Sequence, residues 1–343
     1  MNMKTYRLVP GAFAVCFLLG MGAHISHSED KPAANTTRVH MVITDQALSD
    51  NGDVPMLRPE NVQVKQGKDL LNITQIIPAK GDNAALQLMI LIDETCDSST
   101  GNSLKDLREF INAQPATTAV GVAYMSNATI QIAQNLTTDH ALAANAIRFP
   151  RGNLSTTDSP YLSLTQLVKG WPEQKVRREV LIITDGIDRV RGEKSSSVGP
   201  VVWKGRYDSR TAPSRITRTV PTISIDADST SAMSQRYGVI VHSIYSSGVG
   251  RAGRNAWEIQ LGQSGIAKIA DETGGEYYAL GVQNPISFKP YLDRLQKCFD
   301  SQYYLEFMAT RRQQASLQRV DILTEVSNSD IAAADNVWVP AGL

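Results

Sequence analysis

The stretch LMILIDETCDSS (Leu88–Ser99) joins a continuous apolar run to a series of oxygen-bearing side chains. Such a run predicts a strand that is buried on both faces of a parallel sheet. A second run, VLIITDG (Val180–Gly186), ends in the same way at Asp185. Because binding groups gather where parallel strands end, the sequence predicts that Asp93 and Asp185 lie together at the carboxyl edge of one sheet.

The segments around these two strands alternate between strand and helix patterns. The stretch SLKDLREFINA after the first strand has apolar residues at helical spacing. The runs TTAVGVAYMS and ATIQIAQNL are separated only around Ser126–Asn127, which predicts a hairpin with an antiparallel edge strand. Alternation of this kind implies helices on both faces of the sheet. We therefore predict an α/β fold with a doubly wound, mostly parallel sheet and one antiparallel edge strand.

Strand patterns also occur at the two ends of the chain. TTRVHMVITD, NVQVK and LLNITQIIP come before the α/β segment, and SQYYLEFMAT and LQRVDILTEV follow it. We expect these segments to pack together as a small β module that flanks the α/β domain. The predicted organisation is a signal peptide over 1–28, an N-terminal β segment over 36–80, the α/β domain over 84–300 and a C-terminal β segment over 301–343.

The N-terminus predicts export. Lys4 and Arg7 precede an apolar run from Ala12 to Ala23, and a polar stretch follows, which is the order of a secretory signal peptide. Cleavage is expected after Ala23, Ser26 or Ser28, and the product is expected in a periplasm or outside the cell. No later segment reads as a membrane helix. Lys plus Arg and Asp plus Glu both number 34, and this balance argues against a nucleic-acid binder.

A third oxygen-rich loop, NLSTTDSP (Asn153–Pro160), lies between the two strands in the sequence. If the three loops meet, they offer the side chains of Asp93, Thr95, Asp97, Asp185 and one hydroxyl group from the third loop. Hard oxygen donors without clustered His or Cys suit Mg²⁺, Mn²⁺ or Ca²⁺ better than zinc. The alternative interpretation is purely structural: each Asp at the end of a strand caps the turn that follows it.

The order of LMILIDETCDSS, NLSTTDSPYLSL, VLIITDG, GVIVHSIY and IADETGGEYYAL resembles that of a von Willebrand factor type A (VWA) domain. More closely, the chain resembles bacterial secreted proteins of that class, in which SQYYLEF begins a trailing β segment. The resemblance implies a metal-ion-dependent adhesion site with the ligands Asp93, Thr95, Asp97, Thr157 and Asp185, although Thr156 is an alternative to Thr157. The two threonines would supply hydroxyl ligands, and Asp93 and Asp185 would hold metal-bound waters.

The first loop departs from the family pattern. Asp97 stands where the family has a serine, so a carboxylate replaces a neutral donor. The first hypothesis is a non-enzymatic module that binds a protein or cell-surface ligand, with acidic ligands included, through the metal. The alternatives are a metal-free structural or interaction protein and a metal-assisted hydrolase. The hydrolase lacks a convincing general base, and Cys96 is interpreted as a buried thiol that is not bonded to Cys298.

Overall fold

The structure is a computed structural model. It describes residues 35–46, 56–172, 176–190, 201–202, 219–220, 225–249, 256–281, 283–327 and 329–342. The predicted signal peptide, 1–28, lies outside these residues. In the ranges described, no helix combines the length and the apolarity that crossing a membrane requires.

The elements are numbered in chain order. The strands are β1 (Thr36–Asp45), β2 (Val62–Gln66), β3 (Asp69–Leu71), β4 (Ile73–Pro78), β5 (Leu86–Asp93), β6 (Thr118–Ser126), β7 (Thr129–Thr137), β8 (Arg177–Thr184), β9 (Val201–Val202), β10 (Thr219–Val220), β11 (Val239–Tyr245), β12 (Tyr277–Tyr278), β13 (Gln302–Thr310), β14 (Ser316–Arg319), β15 (Asp321–Thr324), β16 (Ile331–Ala333) and β17 (Asn336–Val339). The α-helices are α1 (Leu104–Asn112), α2 (His140–Asn145), α3 (Pro160–Gly170), α4 (Ile225–Arg236), α5 (Ala256–Glu272) and α6 (Lys289–Asp300). Three 3₁₀-helices span Pro59–Asn61, Gly81–Asn83 and Ser98–Ser103.

The central sheet confirms the predicted fold class. Its strand order is β12-β11-β8-β5-β6-β7. All neighbouring pairs are parallel except β6 and β7, which form the expected antiparallel hairpin at one edge. Strands β5 and β8 lie side by side, with Ile92 opposite Ile183. The two strands that end in Asp residues are therefore neighbours with the same direction.

Helices cover both faces of this sheet. Every side chain of β5 from Leu88 onward is therefore buried. Leu88, Ile90 and Ile92 point to one face, where they belong to an apolar cluster with residues of α1, α2 and α6. Met89 and Leu91 point to the other face and belong to a cluster with residues of α3, α4 and α5. This arrangement explains why the strand is apolar without alternation.

The terminal segments form the flanking β module. Strand β13 pairs antiparallel with β1 on one side and with β4 on the other, and β16 extends this sheet beyond β1. Small sheets formed by β15-β2-β3 and by β14-β17 complete the module. The exact domain boundaries stay predictions. Cys96 and Cys298 are both buried free thiols.

Arg177 ties the α/β domain to the β module. It begins β8, is buried, and donates hydrogen bonds from Nη1 to Phe299 O (2.9 Å) and Gln302 Oε1 (2.7 Å) and from Nη2 to Ala84 O (2.7 Å). Its partners lie at the end of α6, at the start of β13 and just before β5. The guanidinium therefore holds together three chain segments at the junction of the two parts.

We expect Arg177→Met to lower the free energy of unfolding by roughly 2 kcal/mol, because hydrogen bonds to charged groups contribute more than neutral ones and three carbonyl oxygens lose their donor. Urea unfolding would measure this loss. The matched control is Lys105→Met, since Lys105 is exposed on α1, and its effect should stay within about 0.5 kcal/mol. Equal midpoints for the two variants would contradict the proposed role of Arg177.

Candidate functional site

The candidate site lies at the carboxyl rim, which is the edge of the central sheet where the parallel strands β5, β6, β8 and β11 end. Asp93 is the last residue of β5, and Asp185 directly follows β8. Thr184 Oγ1 donates a hydrogen bond to Asp93 Oδ2 at 2.6 Å. The structure thus brings Asp93 and Asp185 together on one side of the sheet.

The first loop is held by its own carboxylates. Asp93 Oδ1 accepts a hydrogen bond from Thr95 N at 2.9 Å. Asp97 caps the 3₁₀-helix that follows, since its Oδ1 accepts from Ser99 N at 2.9 Å. Thr95 is 0% exposed, and its Oγ1 has no hydrogen-bond partner among the described residues. A buried hydroxyl without a partner is costly, so Thr95 Oγ1 is the buried side-chain atom of this loop that the described residues leave unsatisfied.

The second loop buries a residue that the sequence analysis did not single out. Thr157 is exposed, and its hydroxyl donates to Asn127 Oδ1 at 2.9 Å. Asp158 is buried instead, and its carboxylate accepts from Asn127 N at 2.7 Å and Ser155 N at 2.6 Å. Asp93 and Asp158 line the same small crevice. Asp158 therefore adds a third carboxylate near the two strand ends.

Arg189 is a second residue of the site, besides Asp158, that sequence reasoning missed. Its Nη2 forms an ion pair with Asp185 Oδ2 at 2.6 Å, and both side chains are nearly excluded from solvent, at 9% and 2% exposure. Its Nη1 donates to Ile187 O at 3.2 Å, and its backbone N donates to Asp158 O at 2.8 Å. The guanidinium of Arg189 thus braces the loop after β8, and its backbone N ties that loop to the loop that carries Asp158.

Burial and the neighbouring charges shift the pKa values of several side chains of the site. Burial, and then the nearby charge of Asp185, raise the pKa of Asp93 to about 6, and hydrogen bonds from Thr184 and Thr95 oppose that shift. Burial would lower the pKa of Arg189, but the charges of Asp185 and Asp93 prevail and the pKa is raised. Burial and the charge of Asp93 raise the pKa of the Cys96 thiol. A thiol in this state is a poor nucleophile.

The donors of the site match a hard divalent cation in kind, and the unsatisfied Thr95 Oγ1 is a further candidate ligand. Their arrangement does not fit one. Both oxygens of Asp93 and both oxygens of Asp185 already accept hydrogen bonds from the protein. In the part of the chain that is described, no three His, Cys, Asp or Glu side chains are grouped so as to hold a metal ion. A cation between the two strand ends would therefore have to compete with these donors, and above all with Arg189 on Asp185.

The sequence matches no protein-family model and no curated protein. Among solved structures, the chain is similar to an aerotolerance-related membrane protein from Bacteroides fragilis, at 13% identity over 63% of this chain and 99% of that one, with a TM-score of 0.38. It is also similar to the SpRpn10 VWA domain, at 13% identity over 56% of this chain and 86% of that one, with a TM-score of 0.32. For the human COPII-coat protein Sec24c the identity is 8% over 75% of this chain and 44% of that one, with a TM-score of 0.39. A VWA domain is thus among the structural neighbours, and the likeness is one of fold.

Proposed function

We propose that this protein is an exported, non-enzymatic binding module that engages a protein or cell-surface ligand at the carboxyl rim. The observation that carries the proposal is a group of large apolar side chains exposed in the loops at this rim. We call this group the rim collar, and it consists of Phe149, Leu154, Val190, Leu280 and Ile286. Several large apolar side chains exposed along one rim favour an interaction site, whereas a single exposed one is normal.

Contacts with the loop after β5 fix the position of part of the rim collar. Arg148 pairs with the buried Glu94, which follows Asp93 directly, and so holds the neighbouring Phe149. Phe149 is 62% exposed, although its ring also lies against Gly101. Gly152 N donates to Glu94 O at 2.9 Å, which anchors the loop that carries Leu154. The buried Glu94 therefore fixes two exposed apolar side chains next to the site.

Ile286 extends the collar across the first loop. It is 92% exposed, while its carbonyl accepts a hydrogen bond from Ser103 Oγ. Its neighbour Asn284 bonds Ser99 Oγ and Ser247 N, so this loop is attached to the loops after β5 and β11. A large apolar side chain that is held out into solvent by a well-anchored backbone suits the centre of a protein interface.

Photocrosslinking tests the position of the binding surface. A photoreactive benzoylphenylalanine at Ile286, in the protein expressed in its own cells, should yield a discrete adduct of one mass. The matched control places the same probe at Leu323, which is exposed on β15 of the β module. Leu70 is exposed on β3 of the β module and serves as the control position for the competitors. Adduct formation at Ile286 should be suppressed by an excess of wild-type protein without the probe and by an excess of Leu70→Asp, but not by Phe149→Asp. Equal labelling at both positions, or equal competition by both variants, would refute the rim as the binding surface.

A metal-dependent version of this function is the second candidate, and the unsatisfied hydroxyl of Thr95 favours it. In that version Asp93, Thr95, Asp97, Thr157 and Asp185 hold Mg²⁺, Mn²⁺ or Ca²⁺, and the open coordination position receives an acidic group of the ligand. It requires Arg189 to leave Asp185. A metal-assisted hydrolase gains no support, because the residues of the site that the structure describes offer no general base next to an activated nucleophile.

A further inference from the structure

We infer that the guanidinium of Arg189 takes the place of the divalent cation at the carboxyl rim. The wild-type site is then indifferent to divalent cations, and removing this guanidinium creates a cation site. The inference rests on the geometry of the proposed site and not on its ligand. Failure of the photocrosslinking experiment would leave it standing, and its own failure would leave the rim collar as a binding surface.

The first argument is the balance of buried charge. Asp93, Asp158 and Asp185 are buried close to one another, and Arg189 interacts electrostatically with all three. Buried carboxylates need a compensating positive charge, because they lose the solvation that water supplies. In a cation-binding site the metal ion supplies that charge. Here Arg189, which the chain itself carries four residues after Asp185, supplies it instead.

The second argument is that Arg189 is fixed in its position. Its backbone N is bonded to Asp158 O, its Nη1 to Ile187 O and its Nη2 to Asp185 Oδ2. The backbone bond fixes where the side chain starts, and the guanidinium, which is only 9% exposed, cannot leave Asp185 without giving up a charge-assisted hydrogen bond. A divalent cation on the same carboxylate would also lie beside a guanidinium of like charge.

The third argument concerns the ligands that would be left after Arg189 is removed. Asp185 Oδ2 would lose the guanidinium of Arg189, and Thr95 Oγ1 has no hydrogen-bond partner among the described residues. These are the carboxylate and hydroxyl oxygens that hard cations prefer. Without the guanidinium, the remaining cluster is strongly negative and attracts a cation.

Isothermal titration with MnCl₂ tests the inference on wild type, Arg189→Gln and the control Arg151→Gln. Arg151 is exposed and faces the buried Glu94, so its loss removes a rim charge without touching Asp185. We expect Arg189→Gln to bind Mn²⁺ at least tenfold more tightly than the other two proteins. Adding Asp185→Ala or Thr95→Val to Arg189→Gln should weaken that binding.

Two results would overturn the inference. Equal Mn²⁺ affinity of wild type and Arg189→Gln would show that the guanidinium does not occupy the cation's place. Absence of Mn²⁺ binding in both proteins would show that the carboxylate cluster does not bind a cation even without the guanidinium. If Arg189→Gln does not fold in buffer, its refolding in MnCl₂ but not in NaCl supports the inference. Paramagnetic broadening of the wild-type amide signals of Thr95 and Gly186 by Mn²⁺ overturns it without any variant.

Discussion

Gly186→Ala is expected to lower the free energy of unfolding by about 4 kcal/mol and to displace Asp185. Gly186 adopts a positive φ of 73°, and a Cβ there would lie 2.2 Å from the carbonyl oxygen of Gly262. Because that atom belongs to the backbone of α5, the clash is relieved only if α5 moves away from the end of β8. The measurement is urea unfolding together with the amide spectrum of the carboxyl rim.

A second glycine separates the steric effect from the conformational one. Gly238 has a similar φ of 62°, but no heavy atom lies within 4 Å of a Cβ built there. Gly238→Ala should therefore cost only about 1–2 kcal/mol, which is the penalty for a left-handed conformation. Gly262→Ala should reproduce the larger loss from the other side of the contact, since its Cβ would lie 2.6 Å from Asp185 O. Equal losses for Gly186→Ala and Gly238→Ala would show that α5 does not pack against the rim as described.

Asp93→Asn is expected to change how stability depends on pH. Burial and Asp185 raise the pKa of Asp93 from 3.8 to about 6 in the folded protein. At pH values between these two pKa values, the folded state binds more protons than the unfolded state. The contribution of Asp93 to the free energy of unfolding is therefore fully present at low pH and is lost as the pH rises through 6. The loss amounts to about 3 kcal/mol, at 1.36 kcal/mol for each pKa unit.

Asparagine at position 93 carries no titrating proton, so the variant should gain stability relative to wild type by about 3 kcal/mol between pH 4 and pH 7. Urea unfolding at several pH values gives this difference directly. Titration of the Asp93 carboxyl carbon by NMR provides an independent check, and its midpoint should lie near pH 6. If the stabilities of wild type and Asp93→Asn run parallel with pH, or if Asp93 titrates with a midpoint near pH 4, the description of a buried charge cluster around Asp93 is wrong.

The fold could be predicted because its signals are local. Uninterrupted apolar runs identified β5 and β8, and the helix between β5 and β6 followed from the spacing of Leu104, Leu107, Phe110 and Ile111. The strand character of the terminal segments followed from their alternation, whereas their pairing in one β module was an expectation that alternation alone does not give. The convergence of Asp93 and Asp185 followed from a general property of parallel sheets and needed no knowledge of side-chain contacts.

The composition of the site could be predicted only in part, because it depends on side-chain directions within loops. Nothing in the sequence distinguishes Thr157, which is exposed, from Asp158, which is buried, since loops lack a periodic pattern. An arginine four residues after a strand-end Asp signals an ion pair only when the intervening turn is known. Similarly, Asp97 satisfies the pattern of a ligand and that of a helix cap equally well, and the structure shows the cap.

The central claim is that the carboxyl rim carries its own positive charge in Arg189. A crystal structure of the wild-type protein grown with MnCl₂, with an anomalous difference map, tests it most directly. We predict Arg189 Nη2 on Asp185 and no anomalous peak between Asp93, Thr95 and Asp185. A manganese peak at that position, with Arg189 turned away from Asp185, would contradict the claim.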